Sequence, residues 1–256
     1  MFIIQKLSRK DTYFFIFLYR QCRGVLHTPE IKIYCIGRMV FARNKNNCIG
    51  RIPFVPTKKM KPTIIGITGG IGGGKSTLSA ILREHGYFVY DTDSEAKRLQ
   101  NEHPEIRQQL TAVFGNEIYN SAGQLDRKRL ADTVFENPVL LMTLNKIIHP
   151  IVRQDFRAWQ KRHAQEKFLF VESAILFESG LNELIDKAIV VTAPEEIRIS
   201  RVAKRDGVTH EQVRARMTHQ MPEDEKIKRA DIVIDSHNEN LQEQVNEIIE
   251  KLKIEN

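Results

Sequence analysis

The stretch TIIGITGGIGGGKST, residues 63–77, decides the fold of this chain. It begins with a β-branched run, Thr63–Thr68, and continues into the pattern G-x-x-x-x-G-K-[ST] from Gly69 to Ser76. Glycines reach backbone angles that are closed to other residues, so successive N–H groups can turn inward around a phosphate. The stretch therefore predicts a strand, a phosphate-binding loop and a helix that together bind a nucleoside triphosphate.

The polar groups of this loop predict how the nucleotide is held. Lys75 is expected to place a mobile positive charge on the β- and γ-phosphates of ATP, and the Ser76 hydroxyl is expected to ligate Mg²⁺. A helix from Ser76 to Glu84 would add its N-terminal attraction for anions. A glycine-rich turn without a ligand is the alternative, but the strand, lysine, hydroxyl and helix all stand in the required order. The predicted nucleotide-binding residues are Gly70, Gly72, Gly73, Gly74, Lys75, Ser76 and Thr77.

The net charge of +7 is unevenly distributed along the 256 residues. Residues 1–61 contain thirteen lysines and arginines but only two acidic residues, Asp11 and Glu30, whereas residues 62–256 are slightly acidic. A nucleic-acid-binding module needs a basic surface on its own folded domain. The charge distribution therefore argues against nucleic acid as a partner of the domain that carries the loop.

Residues 1–60 are predicted to be an N-terminal extension that does not belong to the functional domain, which would span residues 61–256. The apolar run Tyr13–Tyr19 covers about a third of the ~20 residues that a helix needs to cross a bilayer, so no membrane span is expected. A signal peptide, an organelle transit peptide and a basic membrane-surface arm are the alternative interpretations. All three cysteines lie in this extension, and the cysteine-free remainder fits a reducing cytoplasm.

Five short apolar runs, separated by helical patterns, predict a parallel α/β sheet. They are Thr63–Thr68, Tyr87–Tyr90, Phe168–Val171, Ala188–Thr192 and Ile232–Ile234. The carboxyl ends of parallel strands border the ligand crevice, and carboxylates follow two of these runs: Asp91 and Asp93 after the second, and Glu172 after the third. We expect one aspartate to face the crevice while the other caps the next helix, although both could be caps.

The region from about 94 to 166 is predicted to be a helical insertion that covers the crevice and holds a second substrate. The apolar spacing of Pro104–Glu166 is helical throughout. A helix junction is expected at His149, because Pro150 disfavours helix in the residue before it. His149 titrates near neutral pH and is a candidate for substrate contact, although a lone histidine is more often structural.

Residues from about 195 to 228 are predicted to form a helical lid that excludes water and brings arginine to the transferring group. Arg201 and Arg205 lie four residues apart on the first helix of this region, so both could reach one polyphosphate. A solvated face, with these bases paired to nearby acidic residues, is the alternative. The next helix begins with a capping box in the sequence THEQ, residues 209–212.

Together these features predict an enzyme that transfers a phosphoryl group. The reaction needs a donor held in line, neutralised charge on the phosphoryl oxygens and an acceptor oriented beside a base. A nucleotide-dependent switch or binding protein would leave the helical insertion without a substrate to hold, and the chain lacks the guanine-reading sequence Asn-Lys-x-Asp. A small-molecule kinase is therefore favoured, with the switch as the alternative from another class.

From Thr63 to Leu252 the chain resembles the dephospho-coenzyme A kinase family. The resemblance rests on six motifs in order: Thr68–Thr77, Asp91-Thr92-Asp93, His149-Pro150, Ile175–Glu178, Arg201-x-x-x-Arg205-Asp206 and Ala230-Asp231-x-Val233-Ile234-Asp235. It implies a P-loop kinase with a five-stranded parallel sheet, a helical substrate-binding insertion and a helical lid. It also implies ATP-dependent phosphorylation of the ribose 3′-hydroxyl of dephospho-coenzyme A, the last step of coenzyme A synthesis. Another nucleoside or nucleotide kinase is the alternative.

The resemblance also implies roles for individual residues. Asp93 matches the base that acts on the acceptor hydroxyl, and the choice of Asp93 over Asp91 comes from the resemblance alone. The enzyme would use ATP and Mg²⁺ and would be cytoplasmic, with a monomer as the default and no membrane partner. The implied catalytic residues are Asp93, Lys75, Arg201 and Arg205, and the implied substrate-binding residues are Asp93, His149 and Glu178.

The chain departs from the family pattern at three places. Gly73 stands where the family commonly has serine, and Ala174 stands where it often has proline. The residues Ser236-His237-Asn238 replace a turn of the Asn-Asn-Gly kind. The last departure concerns only the contacts to the edge of the nucleotide at this turn.

Overall fold

The computed structural model describes residues 26–27, 31–36, 39–44, 49–52 and 61–254, apart from 136, 219 and 238–239. The chain divides into two compact units, Met1–Lys59 and Met60–Asn256. Among the described residues, none of the helices is both long and apolar enough to cross a bilayer. The apolar run Tyr13–Tyr19, for which a targeting segment is one interpretation, lies outside the described residues.

The first unit contains a four-stranded antiparallel sheet in the order β1-β2-β3-β4. Strand β2 pairs antiparallel with β3, from Ile31↔Asn44 to Ile36↔Met39. These strands were not predicted from the sequence. Their bounds are β1 Leu26–His27, β2 Ile31–Ile36, β3 Met39–Asn44 and β4 Ile49–Ile52.

The second unit is built on a five-stranded parallel sheet, as predicted. Its strand order is β6-β7-β5-β8-β9, which places β5, the strand before the phosphate loop, in the centre. The strands β5 and β7 are buried along nearly their whole length, as expected for a sheet covered on both faces. The bounds are β5 Thr63–Thr68, β6 Phe88–Asp91, β7 Phe168–Glu172, β8 Lys187–Thr192 and β9 Ile232–Asp235.

Nine helices are described in this unit, in addition to two short 3₁₀ turns at Asn116–Ile118 and Leu181–Leu184. Their alternation with the strands explains the parallel sheet, because parallel neighbours need crossover connections. The helices are α1 Lys75–Glu84, α2 Thr92–Glu102, α3 Pro104–Phe114, α4 Arg127–Phe135, α5 Pro138–Arg162, α6 Glu195–Asp206, α7 His210–Met217, α8 Glu223–Lys228 and α9 Leu241–Ile254.

The two faces of the sheet carry separate hydrophobic clusters, because alternate side chains of a strand point to opposite faces. On one face, Ile65 and Ile67 pack with side chains of α1 and α9 such as Leu82 and Val245. On the other face, Ile64 packs with the helices α2 to α5. The long helix α5 lies in this second cluster through its buried residues Ile147, Ile148, Ile151, Val152 and Phe156.

The predicted helix junction at His149 is wrong. His149 and Pro150 lie inside the continuous 25-residue helix α5. Proline in a helix interior removes one backbone hydrogen bond and costs roughly 3 kcal/mol. Here the buried side chains on both sides of Pro150 anchor the helix to the core, so burial outweighs the local preference.

Other boundaries also differ from the predicted ones. The region from Pro104 to Glu166 is interrupted, since Gly115 adopts a positive φ of 86° and Tyr119 forms an isolated antiparallel bridge with Leu125. The sequence pattern predicts that the helix after Thr209 continues to about Gln220, but helix α7 ends at Met217. Helix α8 was not predicted, because its six residues are too few to show a periodic pattern.

Candidate active site

The phosphate loop joins the central strand β5 to helix α1 and is shaped by backbone geometry. Gly72 and Gly74 adopt positive φ angles of 76° and 97°, in the region that favours glycine. The Gly73 amide donates a hydrogen bond to the Gly70 carbonyl at 3.1 Å, and the Leu78 amide donates to Gly74 at 3.1 Å. The loop is thus a tight turn that leads into a helix N-terminus, the arrangement that binds phosphate.

Lys75 begins helix α1, and its side chain lies back across the loop. Its Nζ donates to the carbonyls of Gly69 and Gly70 at 2.9 and 3.1 Å. Burial lowers the pKa of Lys75 to about 8, and the nearby Glu172 carboxylate opposes this shift. The lysine is therefore confined to the loop, with a carboxylate close by.

Ser76 and Glu172 bring two oxygen groups together at the ends of β5 and β7. The Ser76 hydroxyl donates to the Glu172 carboxylate at 2.9 Å, and Glu172 is 8% exposed. The described residues hold no cluster of three His, Cys, Asp or Glu side chains that could form an all-protein metal cage. A hydroxyl and one carboxylate do fit Mg²⁺, which prefers oxygen and usually completes its shell with water and phosphate.

Glu172 was noted in the sequence as a strand-end carboxylate but was not assigned to the site. The signal that could have found it is its register. In a parallel sheet Ile67 pairs with Glu172, so the end of β7 lies beside the start of the phosphate loop. Strand pairing cannot be read from one sequence, because the two segments are about a hundred residues apart.

Asp91, the last residue of β6, and Asp93, two residues further on, have different environments. Asp91 is the N-cap of α2, and its carboxylate accepts hydrogen bonds from the Asp93 and Ser94 amides at 3.0 and 3.2 Å and from the Ser94 hydroxyl at 2.7 Å. Asp93 is accessible to solvent, yet the surrounding protein partly desolvates it. This desolvation, together with the Asp91 and Glu172 carboxylates, raises the pKa of Asp93 above its usual range, while Lys75 opposes the shift.

His149 and Glu178 line one cavity of about 440 Å³ beside helix α5. Burial lowers the pKa of His149, and the neighbouring Arg153 guanidinium lowers it further. The imidazole is therefore neutral near pH 7, a form that can both donate and accept a hydrogen bond. The other residues of the cavity wall are Pro138, Leu141, Met142, Asn145, Lys146 and Pro150.

The two candidate lid arginines differ in their contacts. Arg201 donates to the Ser236 hydroxyl and carbonyl at 2.8 and 2.9 Å, and it reaches the Gly72 carbonyl at 3.4 Å. It therefore links the phosphate loop to the turn after β9. Arg205 instead pairs with Asp206 at 2.7 Å. The structure brings Arg201 to the loop, whereas the described contacts of Arg205 point to its neighbour.

Arg198 packs against the phosphate loop, and this role was not predicted from the sequence. It is 6% exposed, its Nε donates to the Ala193 carbonyl at 3.0 Å, and its guanidinium forms an ion pair with Glu223. A Cβ at Gly70 would collide with this guanidinium. The available signal was helical spacing, since Arg198 lies four residues before the buried Val202 on the inward face of α6.

Taken together, these contacts define a class of protein. The second unit contains a phosphate loop after the central strand, a serine hydrogen-bonded to a buried carboxylate beside this loop, an aspartate just after strand β6 and a cavity beside helix α5. This combination is typical of the site of a P-loop phosphotransferase. In such a site the loop holds the donor nucleotide, and the cavity is left for an acceptor.

Comparison with known proteins identifies the family. The dephospho-CoA kinase family model matches residues 63–243. A dephospho-CoA kinase of Porphyromonas gingivalis is 47% identical over 164 residues, which are 64% of this chain and 80% of that protein. The dephospho-CoA kinase of Chlorobaculum tepidum is 40% identical over 203 residues, which are 76% of this chain and 97% of that protein.

A solved structure agrees with the sequence matches. The crystal structure of TT1252 from Thermus thermophilus superposes with a TM-score of 0.66 at 37% identity, and covers 75% of this chain and 99% of that one. The chain belongs to the dephospho-CoA kinase family. It is a kinase that phosphorylates dephospho-CoA with ATP, and the fold and activity implied by the resemblance are confirmed.

Proposed function

We propose that Asp93 is the base of this kinase reaction and that it acts on the ribose 3′-hydroxyl of dephospho-CoA. The supporting observation is the division of labour between the two aspartates, because Asp91 is engaged as a helix cap and Asp93 is not. Asp93 accepts the hydroxyl proton while the 3′-oxygen bonds to the γ-phosphorus of ATP. The bond from that phosphorus to the bridging oxygen breaks, and its electron pair leaves with ADP.

On the donor side, the loop amides and Lys75 bind the phosphates of ATP. The Nζ of Lys75 exchanges the Gly69 and Gly70 carbonyls for phosphate oxygens, which carry full charge and are stronger partners for an ammonium group. Burial lowers the pKa of Lys75, and phosphate bound at the loop would raise it. Arg201 sits beside Gly72 and covers the nucleotide, while Arg205 reaches the phosphates when the lid closes.

Ser76 and Glu172 would hold Mg²⁺ at the loop. The ion supplies charge neutralisation on the β- and γ-phosphate oxygens when it is bound. Glu172 orients the Ser76 hydroxyl by accepting its hydrogen bond. The buried carboxylate also keeps Lys75 protonated near neutral pH.

On the acceptor side, His149 and Glu178 contact dephospho-CoA from the wall of their shared cavity. The neutral imidazole and the carboxylate offer hydrogen-bonding groups, and the apolar side chains around them exclude water from the reacting hydroxyl. The insertion of residues 94–166 supplies this wall, and residues 195–228 form the lid. The extension of residues 1–60 takes no part in the reaction, and the enzyme acts as a cytoplasmic monomer.

The substitution Asp93→Asn tests the proposal, with Asp91→Asn as the matched control. We expect Asp93→Asn to lower kcat by about a thousandfold and to leave the Kd for ATP within about twofold, because only proton removal is lost. Asp91→Asn should mainly cost about 1 kcal/mol of stability through the weakened cap. Steady-state kinetics and ATP titration of both variants measure this, and an active Asp93→Asn enzyme would refute the assignment.

The pH dependence of activity gives a second test of Asp93 as the base. The pKa of Asp93 is raised, so its carboxylate is protonated, and catalysis lost, at a higher pH than for an ordinary aspartate. Activity should therefore fall as the pH drops through this raised pKa, and should be level above it. The acid limb should be missing from the residual activity of Asp93→Asn.

A further inference from the structure

Lys226 is an unusual residue for its position on helix α8. Its side chain is fully buried, at 0% exposure, and ranks with isoleucine and leucine among the largest buried side chains. Lysine is almost never fully buried unless its charge is paired, because removing an ammonium group from water is costly. On the same short helix, Lys228 is 69% exposed. Burial of Lys226 is therefore a specific feature of this site.

The partners of Lys226 both lie in the segment after strand β7. Its Nζ donates to the Ala174 carbonyl at 2.8 Å and forms an ion pair with the Glu178 carboxylate at 3.1 Å. The same Glu178 oxygen accepts a hydrogen bond from the Met221 amide at 2.9 Å. Lys226 on α8 and the Met221 amide just before this helix thus fix the direction of the Glu178 carboxylate, which lines the same cavity as His149.

The other end of helix α8 is connected to the donor site. Its first residue, Glu223, forms the buried ion pair with Arg198, whose guanidinium packs under Gly70 of the phosphate loop. Lys226 is also close enough to Lys75 for its charge to lower the pKa of that lysine. One six-residue helix therefore joins the floor of the phosphate loop to the wall of the acceptor cavity.

We propose that Lys226 is a positioning residue for the acceptor. It holds the Glu178 carboxylate in the cavity wall, at a fixed position relative to the phosphate loop. This inference rests on the proposed contact between Glu178 and dephospho-CoA. A residue needed only to fill the core would be better served by methionine, which carries no desolvation cost. The buried ammonium group is therefore explained by the Glu178 carboxylate that it orients.

The test replaces Lys226 by methionine and uses Lys228→Met as the matched control on the same helix. We expect Lys226→Met to raise the KM for dephospho-CoA by about tenfold or more, because a charge-assisted contact to Glu178 is lost. The KM for ATP should stay within about twofold, and Lys228→Met should match the unmodified enzyme. Both KM values are measured for each variant, together with its melting temperature.

A double-mutant cycle with Glu178→Gln strengthens the test. If Lys226 acts through Glu178, the double variant should have nearly the same acceptor KM as the more impaired single variant. Independent, additive effects would overturn the proposal, as would an unchanged acceptor KM or an equal rise in both KM values. If Lys226→Met does not fold, the same criteria apply to Lys226→Gln, whose amide keeps two N–H donors without the charge.

The outcome can be separated from the fate of the proposed function. An unmodified enzyme that does not bind or phosphorylate dephospho-CoA would refute the acceptor assignment itself. An unmodified enzyme that turns it over, beside a Lys226→Met variant with the same acceptor KM, would refute only the positioning role.

Discussion

The donor half and the acceptor half of the site are built in opposite ways. The phosphate loop of the donor half is one continuous stretch in which backbone amides and a single lysine form the binding surface, between the adjoining elements β5 and α1. The acceptor half is assembled from side chains on distant segments: Asp93 after β6, His149 inside α5 and Glu178 after β7. A site built from backbone groups is thus encoded locally, whereas a site built from side chains depends on the whole fold.

The largest expected effect is on the donor half. Lys75→Ala should lower kcat/KM by about a thousandfold, because the variant loses the positive charge that Lys75 places beside the transferring phosphoryl group. Initial rates at varied ATP and dephospho-CoA measure the change, with Lys161→Ala, an exposed lysine at the end of α5, as the control. A normal kcat/KM in the Lys75 variant would show that the loop amides alone are sufficient to bind ATP for the reaction.

The second largest effect on activity is expected at Glu172, which lies beside Ser76 and Lys75. Glu172→Gln removes the buried charge beside Ser76 and Lys75, and we expect a loss of about a hundredfold in activity at limiting Mg²⁺. The Mg²⁺ concentration for half-maximal rate should rise. Glu183→Gln is a control, because Glu183 is an exposed partner of Arg153. An unchanged Mg²⁺ dependence would exclude Glu172 from the metal site.

A smaller and more selective effect is expected in the acceptor half. His149→Ala should raise the KM for dephospho-CoA by about tenfold, since one hydrogen-bonding group of the cavity is lost. The KM for ATP should not change, and this difference separates the two halves most clearly. His163→Ala, at the C-cap of the same helix, provides a control. Equal changes in both KM values would mean that His149 only supports the helix.

The smallest effect is expected outside both halves. Deletion of residues 1–59 removes the separate N-terminal unit, and the family match begins only at residue 63. The shortened chain should keep kcat and both KM values within about twofold. A large loss of activity or solubility on deletion would show that this unit belongs to the working enzyme.

The fold was largely predictable because its signals are local. Strand β5, the phosphate loop and the buried apolar runs of β7 and β8 need no information from elsewhere in the chain. The capping box at Thr209 was found for the same reason. The junction expected at Pro150 failed because tertiary burial of its neighbours overrides the local preference of proline.

The site was only partly predictable. Asp91 and Asp93 look alike in the sequence, and only the geometry of the α2 N-terminus distinguishes the cap from the free carboxylate. The pairing of Ser76 with Glu172 depends on strand register, and the burial of Lys226 depends on a helix too short to recognise. These contacts join residues about fifty to a hundred positions apart, beyond the reach of local patterns.

The most direct test of the central claim is an acceptor comparison with the purified full chain. ATP consumption is followed with dephospho-CoA, adenosine, AMP or no acceptor, and the product is identified by mass spectrometry and by the position of its new phosphate. We predict one ADP per coenzyme A formed, with dephospho-CoA far faster than the other acceptors and little hydrolysis alone. Equal rates with adenosine or AMP, or hydrolysis of ATP that does not depend on any acceptor, would contradict the claim.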